Sequence, residues 1–401
     1  ALVPTLRTQQ EKTYSAPLGM HLYAKEFVDR GGEQVREHPR LLFGGAHLAS
    51  VDAYRADIVQ RSLLGIAYGS LLGLLLIALL GVWHAARSQL RFTDWGGAVW
   101  HGKLPAPMRT ILGLILLMCV FGGVLVQLAA GYHVFGTDKV GQDVLYASLK
   151  SIRTGLLIGT LTTLVTLPLA IVLGIAAGYF RGWIDDVIQY IYTVLNSIPG
   201  VLLIAASVLI VQVYIESHPE LFDTAAARAD IRLLALCLIM GVTSWTGLAR
   251  LLRGESLKLR TLDYVEAARA FGVSHGRILA RHIFPNLLHL VLITIVLDFS
   301  GLVLAEAVLS YVGVGVDSTM FSWGNMINGA RLELAREPVV WWQLAAAFAF
   351  MFTLVLAANL FADGVRDGSF DVVDPQTTAV AIAGASAAIR SCRWPPISVC
   401  A

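Results

Sequence analysis

Seven stretches of this chain are apolar over about 18 residues or more, and that feature removes most folds from consideration. They lie at about 62–86, 109–131, 152–179, 186–212, 232–250, 287–312 and 341–362. Hydrocarbon offers no partner to a backbone N–H or C=O, so runs of this kind close their hydrogen bonds internally, as helices. Composition agrees. Hydrophobic residues make up 56% and charged residues 14%, against about 25% charged in an ordinary soluble domain. The expected fold class is an all-α membrane protein. A formal net charge of +2 is too small to point to nucleic acid.

The polar segments between the spans give an orientation, because Lys and Arg gather on the cytoplasmic side. The 250–282 loop carries Arg250, Arg253, Lys258, Arg260, Arg269, Arg277 and Arg281 against Glu255, Asp263 and Glu266. The 87–109 loop carries Arg87, Arg91, Lys103 and Arg109 against Asp94. Both read as cytoplasmic, and the four intervening boundaries keep the two assignments consistent. The loop with Glu216, Glu220, Asp223 and Asp230 against Arg228 then faces outward. Parity puts residues 1–61 outside too. They contain no apolar leader stretch, so this arrangement calls for a further span upstream of Ala1, or for the 62–86 stretch not to cross.

The 266–286 stretch, EAARAFGVSHGRILARHIFPN, is polar, basic and helical in pattern, yet sits between two spans. Asp263 and Glu266 have capping-box spacing, which places a short helix after Asp263. Gly272 falls where a helix ends on a residue of positive φ. Ser274 can cap a second helix, and Pro285 marks the next span. Tyr264, Ala267, Ala268 and Phe271 share a face by their i, i+3, i+4, i+7 spacing, where small residues admit another surface and aromatics fill its pocket. By spacing alone, a basic amphipathic loop lying on lipid headgroups fits better.

At this point the residues resemble a family. Glu266-Ala267-Ala268, Gly272 and His282-Ile283-Phe284-Pro285 are similar to the signature loop of ABC importer permeases. His282 and Phe284 stand where the general pattern has Ile and Leu, and the His-Ile-x-Pro-Asn ending resembles the dipeptide/oligopeptide/nickel branch, in particular its second (C-type) inner-membrane permease. GTDKVGQDVL (136–145) is similar to that branch's outward segment, with Gln142 in place of Arg and Val134 where Pro is common. AEAVLSYVGVGV (305–316), SWGNMI (322–327) and LFADGVRD (360–367) resemble later motifs, in order. The resemblance covers about 109–374.

The resemblance implies a type I ABC importer transmembrane domain in the bacterial inner membrane. Outside the resemblance, parity and hydropathy make residues 1–61 an extracytoplasmic segment and 62–86 an extra transmembrane helix. Residues 87–108 would be a cytoplasmic loop and 109–364 a six-helix permease core with its coupling loop at 251–285, while 365–401, whose end resembles nothing in the family, reads from its Ala-rich composition as a disordered tail. The resemblance implies that Tyr264, Glu266, Ala267, Ala268, Phe271 and Gly272 dock an ATPase, while Arg281, His282, Pro285 and Asn286 set the return into the next span. The implied partners are a second permease, two ATPase domains, an extracytoplasmic substrate-binding protein and lipid, with peptides or similar small solutes as cargo.

No G-x-x-x-x-G-K-[ST] phosphate cradle occurs in the chain, so ATP and Mg are expected on partner subunits, with no cofactor bound here. Cys119, Cys237, Cys392 and Cys400 form no CxxC or Cys/His cluster, which argues against a zinc site. No catalytic arrangement stands out, so the chain reads as a transport subunit and not an enzyme. Charges inside spans are expected to serve function. Asp298 and Glu306, eight apart in one span, are candidates for an interface or gate. Gly174-x-x-x-Gly178 reads as a close helix contact. The competing class, a secondary transporter without an ATPase, calls for paired broken spans and inverted repeats, which the sequence does not display.

Overall fold

The computed structural model describes residues 6–30, 33–48, 51–87, 96–97, 99, 108–218, 220 and 224–371. Seven of its helices are long and apolar enough to cross a membrane: Tyr54–Arg87, Met108–Ala129, Val144–Phe180, Gly200–Ser217, Ala225–Leu259, His275–Val312 and Trp342–Gly364. Contacts divide the chain into two compact units, Ala1–Ser151 with Phe321–Phe350, and Ile152–Met320 with Met351–Ala401.

The first unit opens with a small antiparallel hairpin, β1 (Glu26–Arg30) and β2 (Glu33–Glu37), in which Phe27 faces Arg36. Two long helices follow, α1 (Tyr54–Arg87) and α2 (Met108–Ala129). The buried residues of α1 are all small: Gly65, Gly69, Gly73, Gly81 and Ala85. A Cβ on Gly65 would lie 2.6 Å from Val124 Cα, and one on Gly69 would lie 2.5 Å from Cys119 O. The two backbones therefore lie directly against each other. In lipid, where apolar burial gives helices little reason to associate, such close packing holds them together. The remaining leucines of α1 are exposed, as a lipid-facing surface requires. The unit also holds the start of α3 (Val144–Phe180), α11 (Trp323–Arg331) and the start of α12 (Trp342–Asp371). Leu6, Ala129, Leu145 and Tyr146 form its core with Phe135, Phe321 and Phe350.

The second unit packs the rest of α3 with α4 (Trp183–Ser197), α5 (Gly200–Ser217), α6 (Ala225–Ser244) and α7 (Thr246–Leu259). It also holds the short helices α8 (Asp263–Ala270) and α9 (His275–Ile278), then α10 (Phe284–Val312). The close contact read from Gly174 and Gly178 is present. A Cβ at Gly174 would come within 2.7 Å of Ala249 O, and one at Gly178 within 2.6 Å of Arg253 O. α3 thus lies on α7 through its glycine face.

Two expectations need correction. The apolar stretch 186–212 is not one helix. It breaks between α4 and α5, because Pro199 has no N–H to donate and pushes the preceding residue out of the helical region. Ile198 accordingly sits at φ −96°, ψ 131°. Second, α12 continues as helix to Asp371, into the 365–401 segment expected as a tail. Residues 372–401, most of the 87–108 loop, Cys392 and Cys400 lie outside the described residues.

Candidate functional site

The basic loop forms by a short chain of local causes. α7 ends at Leu259, and Val265 and Glu266 N–H both bond to Leu262 O. Leu262, in extended conformation, is therefore the cap residue, and Asp263 is the first helical residue. The expected capping box is absent. Asp263 and Glu266 instead place two carboxylates in the first turn, where the helix dipole favours negative charge. α8 runs to Ala270 and stops at Gly272, which has φ +75° as expected. Gly272 N–H bonds to Arg269 O at 3.0 Å and Val273 N–H to Ala268 O at 3.1 Å, closing the helix end on its own carbonyls. Ser274 caps α9 through its backbone position, without a side-chain bond. A π-helical turn, Leu279–Ile283, leads into α10, with Pro285 in its first turn.

Three fully buried side chains pin the loop to the bundle: Val265, Ile278 and Ile283 share a core with Leu252 and Leu287. Polar contacts add direction. Tyr179 Oη at the end of α3 lies 2.8 Å from His275 Nδ1. Asn286 Nδ2 donates to His282 O at 2.6 Å and to Tyr264 Oη at 3.2 Å. Tyr264, His282 and Asn286 are thus brought together, with the Tyr264 and His282 rings 6.1 Å apart. Of the expected face, Tyr264, Ala267 and Phe271 are exposed, Phe271 at 88%. Ala268 is half-buried against the core. Glu266, Arg281 and Pro285 are exposed. The outcome is a bracket, pinned from beneath, that presents two aromatics, an alanine and a carboxylate outward.

An ion pair that sequence reading missed braces this end of the bundle. Arg253 of α7 grips Asp185 of α4 with two bonds, Nε to Oδ1 at 2.6 Å and Nη2 to Oδ2 at 2.7 Å. Gln189 adds a third bond to Asp185. The Arg253 hydrogen bond outweighs burial and holds the Asp185 carboxyl below its ordinary value. Arg253→Ala is expected to cost about 3 kcal/mol, since it strands a buried charge. An Asp185→Asn/Arg253→Met double variant should lose less than the sum of the single changes, read from unfolding midpoints in detergent.

The outward motif 136–145 also has a physical account, within the first unit. Gly136 and Gly141 have φ +69° and +75°, and a Cβ on either would collide with Ser15 O or Glu11 O of the N-terminal segment. Asp138 accepts from Val140 and Gln142 N–H at 2.9 and 2.8 Å. Asp143 caps α3 by accepting Tyr146 N–H at 3.0 Å. Its other oxygen, Oδ2, lies 2.7 Å from His133 Nδ1. His133 Nε2 lies 3.4 Å from Glu11 Oε1, and Glu11 collects the N–H groups of Leu42, Phe43 and Gly44 at 2.8, 2.8 and 3.1 Å. Burial would lower the His133 pKa, but its two carboxylate partners outweigh that and take it up to about 9. Burial would likewise raise Glu11, but His133 and the three backbone donors bring it down to about 2.

The two intramembrane acids separate. Glu306 is 1% exposed and accepts Ser310 Oγ–H at 2.7 Å. Ser310 Oγ in turn accepts Val316 N–H at 3.1 Å, which holds the turn after α10. Asp298 instead lines a cavity of about 240 Å³.

The comparisons with known proteins fall where this architecture points. Residues 170–368 match the family described as "Binding-protein-dependent transport system inner membrane component". The oligopeptide transport system permease protein OppC of Haemophilus influenzae is 30% identical over 59% of this chain and 70% of its own. The glutathione transport system permease protein GsiD of Pectobacterium atrosepticum is 32% identical over 59% and 71%. The dipeptide transport system permease protein DppC of Alkalihalophilus pseudofirmus is 32% identical over 59% and 70%. A solved structure of the MetNI methionine ABC transporter in inward-facing form is similar over 56% of this chain and 97% of its own, with a TM-score of 0.45 and 15% identity. The fold and the matched residues define a multi-pass inner-membrane transport component. The chain belongs to the binding-protein-dependent transport system inner membrane component family, and is the permease of an ABC importer of the peptide group.

Proposed function

We propose that this chain is the second, C-type permease of a peptide importer. It pairs with another permease chain, and peptides or similar small solutes pass between the two. A binding protein delivers them from outside. Two ATPase subunits or domains hold ATP and Mg and push on the 251–285 loop from the cytoplasm. The relatives named for oligopeptide, dipeptide and glutathione transport support the cargo class.

The observation that carries the docking role is the bracket itself. A helix, a glycine at positive φ and a second helix are anchored by buried Val265, Ile278 and Ile283, yet leave Phe271 almost wholly exposed. A side chain of that size left out of a packed bracket fits a partner's pocket better than it fits water. Tyr264, Glu266, Ala267 and Ala268 complete the docking surface, and Arg281, His282 and Pro285 fix the angle of return.

The test is purification of the complex and uptake in proteoliposomes. Peptide uptake should require ATP, and the isolated chain should neither bind nor hydrolyse it. Uptake driven by an ion gradient with no ATPase present would replace this reading with a secondary transporter.

A further inference from the structure

The Asp298 cavity lies wholly within the second unit, and its polar lining is one carboxylate and three hydroxyls. Asp298 comes from α10, Thr163 and Thr166 from α3, and Ser244 from the end of α6. Thr163 Oγ1 donates its proton to Gly159 O at 2.7 Å, and Thr166 Oγ1 donates to Thr162 O at 2.9 Å. Each hydroxyl has one proton, so both threonines turn only lone pairs to the space. Asp298 contributes a carboxylate, with no hydrogen bond or ion pair among the described residues, and no Lys, Arg or His lines the cavity. Other walls are aliphatic, from Leu167, Ile204, Met240 and Leu302.

An ionised carboxylate within a span is costly unless something positive or aqueous meets it, and the two threonine acceptors disfavour any further acceptor. The complement is therefore a group that is cationic and rich in N–H. A bare metal ion would need its oxygens drawn to within about 2.5 Å of one point, whereas about 240 Å³ with aliphatic walls has room for carbon attached to the charge.

We infer that the Asp298 cavity binds an alkylammonium group. The ammonium sits on the Asp298 carboxylate and the lone pairs of Thr163 and Thr166, and its carbon stem lies along Leu167, Ile204 and Met240. Resting on the importer reading above, the site would hold a cargo by its amino terminus or a lysine side chain during passage.

Binding can be measured by calorimetry on the full chain in lipid nanodiscs, with n-butylammonium chloride as probe and n-butanol and sodium chloride as comparators. Saturable butylammonium binding is expected, weakened at least tenfold by Asp298→Asn. Thr163→Val, which reaches the site from another helix, should weaken it about threefold. Equal binding by parent and Asp298→Asn would overturn the site. So would butanol binding as tightly as butylammonium, which describes a greasy hole, or sodium displacing the probe at equal concentration, which describes an inorganic cation site. Peptide uptake by the complex separates this inference from the one it rests on. If butylammonium binds through Asp298 but no peptide is moved, the site stands and the peptide reading falls. If peptides are moved and Asp298→Asn changes neither binding nor uptake, the site falls and the reading stands.

Discussion

Gly272→Val is expected to lower ATP-driven uptake at least tenfold while leaving the chain inserted and folded. The cause is backbone geometry and not space. A Cβ at Gly272 would meet nothing within 4 Å, but its φ is +75°, where a non-glycine residue costs about 1–2 kcal/mol and a β-branched one is a steric outlier. That penalty is too small to unfold a bundle of seven apolar helices. It is large enough to undo the two terminal bonds, Gly272 N–H to Arg269 O and Val273 N–H to Ala268 O. With those gone, α8 no longer leaves the turn at its fixed angle to α9, and Phe271 is aimed elsewhere. The substitution series makes the argument specific. Asn visits the left-handed region readily, so Gly272→Asn should transport nearly as well as the parent, with Gly272→Ala intermediate. Glu266→Ala should leave the chain folded, since the Glu266 side chain has no hydrogen bond or ion pair among the described residues and its loss removes only a favourable charge from the first turn of α8, yet reduce recovery of the ATPase on affinity purification. If the valine variant assembles and transports like the parent, the loop is a solvated connector only.

What was legible in the sequence follows the range of the interactions involved. Apolar runs mark spans because the membrane acts on every residue of a run alike, and each of the seven runs holds a helix long and apolar enough to cross, although the 186–212 run holds it only from Gly200 on. The glycine break was legible because helix, Gly272 and helix are contiguous. Single-residue effects inside an apolar run were lost. One proline, Pro199, barely changes the hydropathy of its surroundings, yet it splits the stretch into α4 and α5. The Asp263 cap failed for a related reason. The spacing to Glu266 was right, but the extended conformation fell on Leu262, set by the turn that ends α7. Interactions between distant segments left no pattern at all. Asp185 and Arg253 are 68 residues apart, and Glu11 and His133 are 122 apart. The motif 136–145 was legible only as a resemblance, and the structure adds that its glycines admit the approach of the N-terminal backbone.

That approach leads to the remaining large effect. Stability of the N-terminal segment on the 133–143 loop is expected to peak between about pH 4.5 and 6.5 and to fall on both sides. His133, Glu11 and Asp143 have side chains exposed by 2%, 1% and 0% respectively, and the imidazolium lies between two carboxylates. The His133 pKa is raised from 6.5 to about 9, so the folded state binds this proton more tightly than the unfolded state. Its contribution is complete below about 6.5 and is lost as pH rises through about 9. Glu11 is lowered from 4.5 to about 2, so its contribution is complete above about 4.5 and is lost as pH falls through about 2. Each shift corresponds to on the order of 3 kcal/mol. The two share the His133–Glu11 contact, so they do not simply add. Glu11→Ala strands the imidazolium beside a single carboxylate and removes the acceptor for Leu42, Phe43 and Gly44 N–H. A loss of about 3–5 kcal/mol is expected. His133→Gln keeps the volume but has no charge to lose, so its stability should no longer decline between pH 7 and 9. Amide exchange at 42–44 across that range reads both effects, with opening in the parent accelerating as His133 deprotonates. An exchange rate that depends on pH only through its intrinsic chemistry, identical in parent and His133→Gln, would show that His133 is not held as the cation and that packing alone secures the segment.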